Sequence, residues 1–576
     1  MNHLEGIKKL KMKILLQSVL ITIVIGFLNA GEKFDVLIMN GQVLDGTGNP
    51  WYSANIGIKD GKILYIGRSK AQLLAKRVID AKGLTITPGF IDIHSHAYDR
   101  FRSFANEFTS EIPGYIDTEL NFDREKKLRP ARNMVAQGVT TLVTNQDGRS
   151  GWPIRNQISK LNDGGFGPNI ILLVGHGTLR LLAMGDDYKR NATNSEINEM
   201  KRLLKIGMDE GASGMSAGLE YVPGRWSNTK EMIDIVGVLN EYNGVFIEHE
   251  RGSGEGPMWW FPSSPEPKGQ AGILESINET IKIAEATKVN CVCTHIKARG
   301  ADFWGASAAA VNLIQRARDR GVNIWADQYP YNTSGSDGNT TLIPKWVKGK
   351  NQKNSLKNII SNPDSVNILK ADISFEITRR GGPENIVVMD HKKKRYVGKT
   401  LLKISQDLKK DPVESAIQIA LDGDKNQRGG GQLRGFSMSE VDVETYASQT
   451  WMMTASDGGL ALPGDGFVHA RFYGTFPRKI RKYAMDVESL SVEDAIRSMT
   501  SLPAQVLGLK NRGVLREGNL ADIVILDFNT VRDKATFFKP HEYPEGIKYV
   551  MINGQFVVEN GKPNGALPGK IISTWR

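Results

Sequence analysis

A chain of 576 residues with 40% hydrophobic content is long enough to bury a large core and to hold a catalytic-sized domain plus at least one smaller one, which excludes disorder as an overall description. The formal net charge of +11 is spread along the sequence, with Lys392-Lys393-Lys394-Arg395 the only dense run, and no nucleic-acid motif accompanies it. That excess reads as solvated surface, with attraction of an anionic small molecule the lesser reading and no nucleic acid as a partner.

The first thirty residues place Lys8, Lys9, Lys11 and Lys13 before an apolar stretch over 14–28, which ends in Leu28-Asn29-Ala30. This is the pattern of a secretory signal peptide over 1–30, with an apolar run short for a membrane span. An uncleaved anchor helix is the alternative. Either implies export, to a periplasm or the outside, and cleavage implies no stable membrane association afterwards. No cysteine lies near the cleavage site, which argues against a lipid-anchored form.

Residues 34–84 alternate in short strands, with turns at Asn40-Gly41, Asp45-Gly46 and Lys59-Asp60-Gly61. From 89 to about 503 the order becomes apolar strand, polar loop and amphipathic helix in repetition, with strands expected at 138–143, 170–174, 214–216, 245–247, 290–293, 322–326 and 451–454. Repeated β-then-α order implies a parallel barrel with right-handed crossovers. After Gly513 the β signature returns over 520–526 and 550–558. The expected α/β architecture is a (β/α)8 TIM-like barrel over 89–505, flanked by a small β-sandwich domain built from both chain ends, 31–88 and 506–576. The stretch of about 336–400 is too long for an ordinary loop and is expected to form an inserted lid.

The chemistry gathers at the ends of the barrel strands. His94 and His96 follow the run 88–92 and, two residues apart on a strand, can reach one metal ion. Asp147, His249, His295 and Asp457 each follow another apolar run, where a barrel strand opens into its mouth. Imidazoles and carboxylates in such a set suit Zn²⁺, which acidifies water and polarises a carbonyl. Asp457, in Ala455-Ser456-Asp457-Gly458, is the best general base of the set, with a turn-capping role as its plain alternative. Cys291 and Cys293, the only cysteines, are poor disulfide partners at that spacing. They share a strand face with His295, but their depth below the strand end favours buried core thiols.

These segments together resemble the amidohydrolase superfamily, and within it the D-aminoacylase (N-acyl-D-amino-acid deacylase) family, over essentially everything after the leader. PGFIDIHSH at 88–96, GVTT at 138–141, VGHGTLR at 174–180, GASGMSAGLEYVPGR at 211–225, THIKARG at 294–300, DQYPY at 327–331, MTASDG at 453–458 and YGTFPR at 473–478 carry the likeness. The most specific block is SVEDAIRSMTSLPAQVLGLKNRGVLREGNLADIVILD at 491–527. The resemblance implies a tight Zn²⁺ site held by His249 and His295, a second, weaker position lined by His94 and His96, and Asp457 as general acid/base. It also implies a ligating cysteine where this chain has Asp147, so a hard carboxylate replaces a soft thiolate and favours a carboxylate-bridged pair of metals. A role for Asp147 as hydrogen-bond partner of a ligand histidine is the alternative. For the substrate, the resemblance marks Tyr221, Lys297, Tyr329 and Ser336 as contacts to its carboxylate and carbonyl, and His469-Ala-Arg471 as a rim element. Glu248 stands where relatives carry a small hydroxyl residue, which places an extra carboxylate in the mouth unless it points away.

The activity implied is metal-dependent hydrolysis of N-acyl-D-amino acids, with the D configuration resting on the resemblance alone. A hydrolase of cyclic amides or small dipeptides is the nearest alternative. A non-catalytic binding protein on the same fold is the alternative from another class.

Overall fold

The computed structural model describes residues 33–68, 73–101, 122–266, 272–335, 340–347, 352–424, 427 and 429–575. The expected signal peptide and Ser336 lie outside the described residues. Among the described residues no helix is long and apolar enough to cross a membrane.

The strands in chain order are β1 (Lys33–Val43), β2 (Tyr52–Lys59), β3 (Lys62–Gly67), β4 (Leu74–Asp80), β5 (Thr85–Pro88), β6 (Phe90–Asp92), β7 (Val139–Thr144), β8 (Asn169–Leu172), β9 (Val174–Gly175) and β10 (Gly214–Gly218). They continue as β11 (Val245–His249), β12 (Asn290–Cys293), β13 (Ile324–Gln328), β14 (Ile386–His391), β15 (Gly431–Gly435), β16 (Met452–Thr454), β17 (Ile523–Leu526), β18 (Ile547–Ile552), β19 (Gln555–Glu559) and β20 (Lys562–Pro563). One nine-stranded sheet joins the two chain ends: β17 pairs antiparallel with β5, and β1 to β4 continue the sheet on the other side.

The region between the two chain ends is parallel apart from β14 and β15. The strands β6-β7-β8 form one sheet and β9-β10-β11-β12-β13-β16 another, each in chain order with helices between successive strands. Main-chain bonds tie the two sheets together: Leu173 N–H donates to Thr144 O, Ser213 N–H to Leu172 O, Asp457 N–H to His94 O and His96 N–H to Gly458 O. The last two join the end of β16 to the end of β6. Alternation explains the apolar runs. Ile91, Ile93, Val143, Ile171, Val245, Ile247, Val292 and Met453 make one cluster, while Phe90, Leu142, Ile170, Leu172, Met215, Phe246 and Met452 face the helices in another. Strands buried on both faces need hydrophobes at every position.

Between β13 and β16 the chain forms the helices Gln352–Ile360, Pro363–Arg379, Leu401–Leu408 and Pro412–Asp422 and the antiparallel pair β14-β15. This unit has its own core, including Leu342, Leu369, Ile386, Leu401 and Leu433. It therefore runs well past residue 400, because β15 completes the pair that β14 begins. The basic run 392–395 is exposed, with Lys393 and Lys394 paired to Asp422 and Asp390.

Candidate active site

The four histidines and two aspartates converge at the carboxyl ends of the parallel strands. His94 is fully buried, and its Nδ1 lies 2.6 Å from Thr294 Oγ1, whose hydroxyl donates to Asp327 at 2.6 Å. With that hydroxyl proton committed to Asp327, the Thr294 oxygen accepts from His94 Nδ1–H, which leaves the Nε2 lone pair for the site centre. Nε2 sits 3.7 Å from both Asp147 Oδ1 and Asp457 Oδ1 and has no hydrogen-bond partner among the described residues. His96 is anchored on its Nδ1 by Asp99 at 2.8 Å and turns its Nε2 to Asp457 Oδ1 (3.2 Å) and Asp147 Oδ2 (3.5 Å). On the other side His249 Nε2 bonds Glu220 at 3.0 Å, and its Nδ1 faces His295 Nε2 at 2.8 Å and Asp147 Oδ1 at 3.4 Å. His295 Nδ1 in turn meets Lys297 Nζ at 2.9 Å.

Asp147 is the hub. Its Oδ1 faces His94, His249 and His295, and its Oδ2 faces His96. Atoms bound about 2.0–2.2 Å from one tetrahedral cation lie about 3.3–3.6 Å apart; Asp147 Oδ1 lies 3.4–3.7 Å from these nitrogens, near that range, whereas His249 Nδ1 and His295 Nε2 stand at hydrogen-bond distance, 2.8 Å. His94, Asp147 and His295 form one metal-sized group, and His94, His96 and Asp457 another. The unpartnered, buried His94 Nε2 and Asp147 Oδ1 are the polar atoms such an ion satisfies.

The electrostatics fit a cation as well. Burial would raise the Asp147 carboxyl, yet the His249, His295 and His96 imidazoles hold it well below the usual carboxylate range. Burial likewise opposes ionisation of Asp457, and Arg471, with the His295, His96 and His94 imidazoles, overcomes it. Burial drives His94 well below the imidazole range and, helped by the Lys297 charge, His295 down to about 4. At His96 and His249 the carboxylates prevail over burial and raise the rings to about 10 and about 9. A divalent ion supplies the positive charge those two rings otherwise hold.

The local backbone explains how strands aim these groups. Asp147, His295 and Asp457 all adopt left-handed conformations, with φ of 58°, 37° and 46°. Such backbone is costly outside glycine and clusters at functional sites. Gly218 on β10 permits the Asp147 turn, since a Cβ there would lie 2.4 Å from the Asp147 carbonyl oxygen.

The surrounding cavity, about 510 Å³, is lined by Tyr221, Lys297 and Tyr329 among others. The Tyr221 ring lies 4.3 Å from that of His249, and Lys297 stands 5.7 Å over the Tyr329 ring. Arg471 pairs with Asp457 Oδ2 at 2.9 Å, and His469 packs behind it against Tyr329 and Tyr331.

Cys291 and Cys293 are buried core thiols as expected, though not on the expected face, and the question left open for Glu248 is decided. Cys291 and Cys293 do not share a face with His295: they pack among Phe246 and the helices, because the left-handed turn at His295 breaks the two-residue alternation. Glu248 does not add a carboxylate to the mouth. It is fully buried toward the helix Ile273–Thr287, where burial and the Glu279 and Glu250 charges push its carboxyl well up. Sequence reasoning also missed Glu220, Asp99 and Thr294, the partners that orient His249, His96 and His94; Glu220 lies inside the motif at 211–225, but nothing in its spacing marks it.

Comparison with known proteins places this geometry. An amidohydrolase family model matches residues 77–225 and 450–558. The chain is 29% identical over 563 residues to the N-acyl-D-glutamate deacylase of Alcaligenes xylosoxydans xylosoxydans, covering 94% of this chain and 97% of the relative. It is 28% identical over 565 residues to the D-aminoacylase of the same organism, covering 94% and 98%. Among solved structures, the N-acyl-D-glutamate deacylase of Bordetella bronchiseptica, complexed with zinc and a phosphonate mimic of the tetrahedral intermediate, superposes with a TM-score of 0.69 at 27% identity over 94% of this chain and all of that one. A D-aminoacylase with a binuclear metal centre gives 0.68 at 26%, over 93% and 99%. A D-hydantoinase at 15% identity and a TM-score of 0.53 shares the fold alone.

Proposed function

We propose that this chain is a zinc-dependent deacylase of the amidohydrolase family that hydrolyses N-acyl-D-amino acids to a carboxylate and a free D-amino acid. The observation that carries the reading is the convergence of four imidazoles on the two oxygens of Asp147, with Asp457 beside them. We infer that His249, His295 and Asp147 would hold the tighter ion and that His94 and His96 would line a second position, with the Asp147 carboxylate facing both pairs of histidines. The same reading takes the two parallel sheets as arcs of one (β/α)8 barrel, the nine-stranded sheet as the core of a β-sandwich domain from both chain ends, and the unit between β13 and β16 as a lid. Export through the basic and apolar leader belongs to it too.

Bound zinc supplies a Lewis acid that polarises the amide carbonyl and acidifies water. The protein supplies the rest. Asp457 is ionised, with Oδ2 held by Arg471 and Oδ1 turned to His96, so it accepts a proton from the attacking water and delivers it to the departing nitrogen. Lys297 offers a cation for the α-carboxylate, and the Tyr329 hydroxyl, which lines the same cavity beside Arg471, is a donor for the carbonyl or carboxylate oxygen.

The cyclic-amide and non-catalytic alternatives are not favoured: the full-length relatives named above are deacylases, and the hydantoinase likeness is one of fold. The test is metal analysis together with a panel of N-acetyl D- and L-amino acids and short dipeptides. One or two equivalents of metal and turnover of the D series are expected, with His249→Ala losing both; turnover confined to dipeptides or cyclic amides would overturn the assignment.

A further inference from the structure

Three arginines gather on one side of the catalytic cavity. Arg299 comes from the loop after β12, and Arg379 and Arg380 end the helix Pro363–Arg379 of the unit between β13 and β16. Two of them are consumed by the fold. Arg299 donates to the Gly256 carbonyl at 3.3 Å and lies 3.5 Å from Glu220. Arg379 donates to the carbonyls of Pro257 (3.4 Å) and Trp260 (3.1 Å) and pairs with Glu376.

Arg380 differs. It is half-buried and lines the same cavity as Lys297 and Asp457. Its Nε donates to Glu376 Oε1 at 2.8 Å, which fixes one edge of the guanidinium, while its two terminal nitrogens carry no hydrogen bond among the described residues. The edge left over is the fork that binds a carboxylate with two parallel bonds. The stem is held as firmly as the head. Arg380 N–H bonds the Glu376 and Ile377 carbonyls, and Gly381 and Gly382, at φ of 94° and 90°, turn the chain directly after it. On β15, a Cβ at Gly435 would lie 2.9 Å from Arg380 Cβ and 3.2 Å from its Cδ, so only glycine leaves room for this path. The charges do not cancel either: three guanidinium groups face Glu220 and Glu376, and Glu220 is shared with His249.

We propose that Arg380 heads a second anion subsite in the cavity, which takes a substrate carboxylate other than the α-carboxylate. The proposal rests on the deacylase reading and extends it to substrates with two carboxylates. The second one comes from an acidic amino-acid side chain or from the far end of a dicarboxylic acyl group. Both are the same chemistry at the guanidinium, and the substrate panel separates them.

The test compares zinc-loaded full-length enzyme with Arg380→Met on N-acetyl-D-glutamate, N-succinyl-D-leucine and N-acetyl-D-leucine. The ratio of kcat/KM for one dicarboxylate to that for N-acetyl-D-leucine is expected to fall about 10- to 100-fold, as for loss of hydrogen bonds between charged groups. Whichever dicarboxylate responds identifies the source. Arg380→Lys keeps the charge without the fork, and Gly435→Ala displaces the stem; both are expected to give intermediate ratios and guard against a Met variant that fails to fold. Ratios within about threefold of wild type in all three variants overturn the subsite while leaving the deacylase reading intact. If wild type turns over none of the three substrates, the deacylase reading falls instead. Calorimetric titration with glutarate then decides the subsite: binding weakened at least about tenfold by Arg380→Met sustains it, and equal or absent binding refutes it.

Discussion

Glu220 offers the sharpest test of how the protein controls its metal. It is almost fully buried, accepts from His249 Nε2 at 3.0 Å and from the Met258 N–H, and lies 3.5 Å from the Arg299 guanidinium. Glu220→Gln keeps the shape and an acceptor oxygen but removes the charge that fixes the His249 tautomer and strengthens its Nδ1 as a ligand. Loss of such a partner typically weakens metal binding about 10- to 100-fold, or about 1.4–2.7 kcal/mol. A second cost falls on stability, because Arg299 is only 2% exposed and loses its counter-charge. Breaking a buried pair costs about 3–5 kcal/mol, and the 3.5 Å separation puts this one at the lower end. The two effects separate in the double variant Glu220→Gln/Arg299→Met, which is expected to regain thermal stability and not zinc affinity. The assay is equilibrium dialysis against zinc-buffered chelator with bound metal measured by emission spectrometry, alongside thermal melts. Zinc affinity within about twofold of wild type in Glu220→Gln would refute the role assigned to Glu220.

Three further outcomes follow from the same geometry. Asp457→Asn is expected to retain bound metal and lose about 10²-fold or more in kcat, measured by steady-state kinetics beside metal analysis; near-normal turnover would remove it as the proton carrier. Lys297→Ala is expected to raise KM far more for N-acyl amino acids than for acyl amines that lack the carboxylate, and equal effects would reject carboxylate binding there. Away from the site, burial pushes the Lys479 ammonium down to about 7, and among the described residues its Nζ bonds the Ala447 carbonyl alone. Between that value and the unfolded lysine range of about 10.4 the unfolded chain binds the extra proton, so wild-type stability from this group rises with pH. Lys479→Met is therefore expected to melt higher than wild type, by a margin that widens as pH falls from 10 to 7; a constant margin would count against the burial cost.

The sequence made the parallel strands legible because both their faces are buried, so each appears as an apolar run that stops where a ligand begins. The same reasoning failed one residue later. Period-two bookkeeping assumes extended backbone, and His295 leaves it at φ 37°, which sends Cys291 and Cys293 to the helices and His295 to the mouth. The orienting partners were illegible for a different reason. His94 meets Thr294 across 200 residues, and no local pattern links them before the strands assemble. The unit between β13 and β16 was visible as excess length, but its end was not, because that end is set by the pairing of β15 with β14.

Asp147 shows how far residue chemistry alone carries and where geometry takes over. The exchange of a thiolate for a carboxylate is readable from the sequence and says only that a harder ligand stands there. A sulfur binds through one atom at about 2.3 Å, whereas a carboxylate presents two oxygens that point in different directions at about 2.0–2.2 Å. The left-handed turn at φ 58° directs one oxygen to His94, His249 and His295 and the other to His96. One oxygen thus serves three histidines and the other reaches His96 alone, an arrangement that depends on a backbone turn Gly218 makes possible. A side chain at Gly218 would disturb that arrangement before it touched any ligand directly.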